Sequence, residues 1–174
     1  MNRTLVFMIR TTLGLTVGWT ALHYWLGARR VGFCLVVYFV LNVIALLKSS
    51  DSKSNTAQTL HLAAFFVLPL LATFSEGGWE ASGFIGLWSF MPVLEISIYK
   101  GYSAAGWLFA VYAALACILL YMEVQGVQMR AIFDWMDLGT TGNLSQAGRY
   151  LLYGINIVGT GGVSLGLLRL GAKA

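Results

Sequence analysis

Between His61 and Pro92 the chain reads HLAAFFVLPLLATFSEGGWEASGFIGLWSFMP, two apolar runs joined by the polar hinge Glu76-Gly77-Gly78-Trp79-Glu80. Pro69 lies inside the first run and Pro92 inside the second. Proline removes a backbone donor and clashes with the preceding turn, so a water-exposed helix has little use for it at its centre. In a bilayer, neighbouring helices re-satisfy the backbone groups that proline frees, and such breaks are tolerated. The stretch is therefore expected to form a transmembrane helical hairpin, with the other apolar segments packed around it. Composition points the same way: 58% of residues are hydrophobic and 10% charged, where soluble domains run near a quarter charged. A single globular core could not hide this much apolar surface.

A spanning helix needs roughly 20 mainly apolar residues. On that measure the chain holds six, at about 4–26, 31–48, 59–75, 81–99, 103–122 and 148–170. Residues 1–174 thus read as one all-α domain, a polytopic bundle of six transmembrane helices. Gly27-Ala28-Arg29-Arg30 marks a short turn, KSSDSKSNTAQ (48–58) a polar loop, and Lys100-Gly101 the close of the fourth span. In the long segment from Glu123 to Ala147, Met129, Ile132, Phe133 and Met136 recur at i, i+3, i+4 and i+7. That pattern predicts a short amphipathic helix on the outer surface, with Trp135 as an interfacial anchor. The first apolar run is too long for a signal-peptide core and lacks a small-x-small site before Arg29-Arg30, so it is expected to remain as a helix.

The net charge of +4 comes from basic residues scattered at segment ends, which marks membrane topology and not a phosphate-tracking face; nucleic acid is excluded as a partner. With a cytoplasmic N-terminus, the inside carries seven basic residues: Arg3, Arg10, Lys48, Lys53, Lys100, Arg169 and Lys173. The outside carries four, Arg29, Arg30, Arg130 and Arg149. The positive-inside rule then predicts N-in and C-in in the inner (plasma) membrane. Cys34 and Cys117 both lie in apolar runs without a C-x-x-C spacing and say nothing about redox compartment.

Few residues could carry chemistry. His23 and His61 fall near opposite ends of their spans, on the order of 25 Å apart across a core about 30 Å thick. One haem or metal ion cannot take both, and no metal site or cofactor is expected. Glu76, Glu80, Glu123, Asp134 and Asp137 all fall at or beyond the outer face. They form either a site for a cation or an amine-bearing ligand, since hard oxygens suit such cations, or a solvated negative rim. Glu95 is the one acid inside a span, and either pairs with Lys100 a turn away, snorkels to the inner surface, or is functional. Asn42 and Asn156 fit interhelical hydrogen bonding. Gly14-x-x-x-Gly18 and Gly162-x-x-x-Gly166, with Gly159 and Gly161 nearby, allow close backbone approach within the chain or between two copies. No Ser/His/Asp set, Walker motif, H-E-x-x-H or Cys-rich site occurs, so the chain is read as carrying no catalytic activity.

The combination His61-Leu62, Pro69, Gly77-Gly78, Ala81-Ser82-Gly83, Leu87-Trp88 and Pro92, with Asn156 in Tyr153-Gly-Ile-Asn-Ile-Val-Gly159, resembles the six-helix membrane domain of bacterial class III adenylate/guanylate cyclases. Related domains precede some sensor kinases. The resemblance implies a dimeric membrane anchor or receptor module whose sixth helix continues into a cytoplasmic linker and a cyclase or kinase domain; an external small ligand or cation is the partner that the outer acids, and not the resemblance, suggest. No catalytic motif of such an output domain lies within these residues. The alternatives are a structural subunit of a larger membrane complex and a small transporter; the latter would need convergent polar residues near the bilayer midplane.

Overall fold

The computed structural model describes residues 3–49, 54–127 and 146–171, which fold into six α-helices and one 3-10 helix. Helix α1 spans Arg3–Trp25, α2 Arg29–Lys48 and α3 Ser54–Glu76. The 3-10 helix, Ile85–Phe90, runs directly into α4, Met91–Lys100; α5, Tyr102–Val124, and α6, Gln146–Gly171, follow. No strand occurs among the described residues. The expected amphipathic surface helix, with Met129, Ile132, Phe133, Met136, Asp134 and Asp137, lies outside them.

Among the described residues, four helices are long and apolar enough to cross a membrane: Leu5–Trp25, Arg29–Lys48, Asn55–Glu76 and Tyr102–Val124. Their outer faces are apolar as well. Helix α5 buries only Ala105 and Leu119, while Trp107, Phe109, Ile118 and Leu120 stand exposed. An apolar exterior of this extent suits hydrocarbon and not water.

The helices turn back on one another through tight caps. Two or three residues past the ends of α1, α3 and α5, an amide bonds back to the carbonyl five residues earlier: Ala28 to His23, Gly78 to Thr73 and Val127 to Met122. In each case the preceding residue is a glycine at positive φ, the geometry of a Schellman cap. These caps put the ends of α1, α3 and α5 and the start of α2 at one end of the molecule, here termed the elbow end.

The segment expected to form one span over 81–99 is divided. Residues 77–84 make consecutive turns, and helix resumes only at Ile85, first as 3-10 and then as α4. Gly77, Gly78 and Gly83 have φ of 102°, 130° and 66°, and Phe84 follows at 61°. That left-handed region cannot continue a right-handed helix. Pro92 occupies the first turn of α4, where a missing N–H costs nothing. It starts a helix and does not bend one, so of the two expected proline breaks only Pro69 is inside a helix.

The core gathers between these elements. Met8, Val31, Tyr38, Phe65, Ile85, Trp88, Met91 and Leu152 form one buried cluster to which α1, α2, α3, the 3-10 helix, α4 and α6 all contribute. Helix α2 packs on α1 and α3, the 3-10 helix on α3, α5 on α4, and α6 chiefly on α4 and the 3-10 helix. The 3-10 helix sits so close to α3 that a Cβ on Gly86 would fall 2.6 Å from Thr73 Oγ1.

Candidate functional site

Non-helical backbone inside an apolar bundle must find partners for its N–H and C=O groups or lose several kcal/mol for each. Residues 77–84 find some locally: Ser82 N–H donates to Gly78 O, Gly83 N–H to Glu80 O and Phe84 N–H to Trp79 O. The others come from distant helices. The Glu123 carboxylate, at the end of α5, accepts from the N–H of Trp79 at 2.9 Å and of Glu80 at 3.1 Å. Tyr153 of α6 donates its hydroxyl to Glu80 O at 2.8 Å. Asn156, just under one turn further along α6 and about 15 Å from its start, donates Nδ2–H to Gly83 O at 2.7 Å.

The other end of the Asn156 amide is equally committed. Its Oδ1 accepts the indole N–H of Trp88 at 2.9 Å and of Trp19 at 3.1 Å. The two indoles meet edge to face with centroids 5.7 Å apart, and Gly159 leaves the space on α6 that the Trp88 ring fills, a Cβ there lying 3.0 Å from it. One fully buried amide thus ties α1, the 3-10 helix, α6 and the non-helical segment together. An alanine here would orphan two indole donors and a carbonyl, at about 1–3 kcal/mol for each buried unsatisfied group.

A second polar cluster lies deeper, toward the end away from the elbow. Asn42 Nδ2–H donates to Tyr38 O at 2.9 Å along α2. Its Oδ1 accepts from His61 Nδ1–H at 2.5 Å, and His61 Nε2 lies 3.1 Å from Glu95 Oε2. His61 and Asn42 are 0% exposed and Glu95 2%. Of the alternatives the sequence leaves for Glu95 (pairing with Lys100, snorkelling to the inner surface, or a functional role), the first two do not hold: it points across to α3, and Lys100 is exposed. Aromatic rings bridge the two clusters: Trp88 stacks on Phe65 at 6.4 Å, and Phe65 in turn touches Tyr38 at 5.4 Å and His61 at 5.8 Å. Beside these rings, α1, α2, α3 and the 3-10 helix line a half-open apolar pocket of about 50 Å³ bordered by Thr12, Tyr38, Phe65, Pro69 and Trp88.

The remaining expected site residues fall as follows. His23 is fully buried near the end of α1, its ring Nδ1 2.8 Å from Trp19 O, and it does not approach His61 through any contact. Of the external acids, Glu76 is buried at the end of α3, Glu80 is exposed 3.8 Å from Arg149, and Glu123 is spent on the elbow amides; Asp134 and Asp137 lie outside the described residues. No group of three or more His, Cys, Asp or Glu able to hold a metal ion occurs among the described residues. Ser82 is buried with its hydroxyl donated to Trp79 O. A Cβ on Gly78 would strike the Glu123 carboxylate at 2.6 Å, and one on Gly83 would meet Leu152 Cβ at the same distance. Among the described residues, nothing stands within 4 Å of where a Cβ on Gly14, Gly18, Gly161, Gly162 or Gly166 would lie. Sequence reasoning missed Trp19, Gly86 and the role of Glu123; only the Gly-rich elbow hinted that a polar partner had to reach its backbone.

No protein-family model, curated protein or solved structure matches this chain.

Proposed function

We propose that this chain is a membrane input module: a six-span, N-in/C-in bundle in the inner membrane that pairs with a second copy and passes a change at its external elbow through α6 to a cytoplasmic output domain. The observation that carries this reading is the Asn156 clasp. Helix α6 is joined to the elbow by Asn156 on Gly83 and Trp88, and by Tyr153 on Glu80. Any ligand that shifts residues 77–84 therefore shifts the helix that leaves the bundle at the opposite end. Signalling by this route requires two arrangements of the elbow with different affinity for an external small ligand or cation. The broken segment, held by side chains and not by a helical hydrogen-bond ladder, is a suitable two-state element. The open Gly161, Gly162 and Gly166 positions give α6 a face free for a second copy.

The test joins a nucleotide cyclase domain to the end of α6 and compares the parent with Asn156→Leu and with Gly162→Leu/Gly166→Leu at equal membrane abundance. Uncoupling the elbow is expected to change cyclase output by about 5-fold or more, the usual floor of an allosteric coupling, and the double glycine variant to reduce dimer recovered by cross-linking. Unchanged output in both variants would overturn the proposal.

A further inference from the structure

The His61–Glu95 contact fixes where one proton must be. Asn42 donates Nδ2–H to a backbone carbonyl, Tyr38 O, so its Oδ1 is the atom facing His61. An oxygen there can only accept, which puts a proton on His61 Nδ1. A neutral imidazole in that tautomer has a bare Nε2, and bare Nε2 would then oppose Glu95 Oε2 lone pair to lone pair at 3.1 Å. Two acceptors do not sit at hydrogen-bond distance without a hydrogen between them. Either Nε2 or Oε2 carries it, and in both arrangements the pair is neutral overall, the condition for two ionisable groups to be buried inside an apolar bundle.

We infer that His61 and Glu95 form a proton-binding site, holding one proton between Nε2 and Oε2 that the folded bundle needs to keep α3 against α4. Among the described residues the other groups facing it are Tyr38 and Asn42 from α2; α6 reaches α4 one turn earlier through Ser164 on Met91, and Lys100 at the end of α4 is exposed. None of these supplies a charge that could replace the proton.

¹⁵N NMR of histidine in the full chain in lipid nanodiscs at pH 6 reads this directly, with His61→Gln identifying the His61 signals against those of His23. In the parent, His61 is expected to show Nδ1 protonated and a proton shared at Nε2. In Glu95→Gln the amide can donate to a bare Nε2, so the Nε2 signal is expected to move to that of an unprotonated nitrogen that accepts a hydrogen bond. A bare Nε2 without a hydrogen bond in the parent, or a His61 spectrum that Glu95→Gln leaves unchanged, would overturn the inference. Where a variant does not fold, the parent spectrum alone decides between the two outcomes.

Discussion

Gly83 and Gly162 separate two uses of the smallest residue. Gly83 combines a φ of 66° with a missing side chain whose Cβ would lie 2.6 Å from Leu152 Cβ on α6. Gly162 has an ordinary helical conformation, and among the described residues nothing lies within 4 Å of where its Cβ would stand. Gly83→Ala should therefore cost stability twice, through left-handed strain of about 1 kcal/mol and through pushing α6 off the elbow, an overpacking penalty of about 1–3 kcal/mol. Gly162→Ala should not destabilise the isolated monomer, and is expected to stabilise α6 by about 0.5–1 kcal/mol through the lower backbone freedom of alanine. Thermal unfolding of both variants in detergent checks this; equal losses would mean that the α6–elbow contact does not bear on stability. The sequence marked both positions as glycine and could not distinguish them, since the difference lies in what stands opposite.

Among elements, runs of apolar residues about 20 long were legible, because crossing hydrocarbon demands length and continuity. Helices α1, α2, α3 and α5 stand close to their expected bounds. The segment over 81–99 was not legible in the same way. Hydropathy sees its composition, and nothing in composition distinguishes a spanning helix from a turn-rich segment that neighbours cover. The information lay in Gly77, Gly78 and Gly83 as backbone switches and in Glu123, a residue 45 positions beyond Gly78 in the sequence that approaches it within the fold. The Glu95–His61 pairing was hidden for a related reason. Helical periodicity names neighbours along one helix, such as Lys100, and is silent on which residue waits across the interface. Asn42 and Asn156 were readable as amides that hold helices together, though their partners were not.

At the scale of the molecule, two buried polar layers joined by Trp88 and Phe65 run from the elbow toward the opposite end, and the outside is apolar. A six-crossing bundle requires both chain ends on one side of the membrane and the elbow on the other. In a background with Cys34 and Cys117 replaced by alanine, a cysteine at Asn2 or Lys173 should react with an impermeant maleimide only after the membrane is opened from the cytoplasmic side, and one at Glu80 from outside without opening. Ends that label from opposite faces would contradict the topology on which the input-module reading stands. The central claim is narrower: a single amide on α6 holds the non-helical segment in the bundle, so that the two move as one. Hydrogen–deuterium exchange of the parent and of Asn156→Ala in nanodiscs measures it. The account predicts that amides of residues 77–90 and of α6 lose protection together, by about 10-fold or more for each 1.4 kcal/mol of clasp removed; protection unchanged in both segments, or lost in one alone, would contradict it.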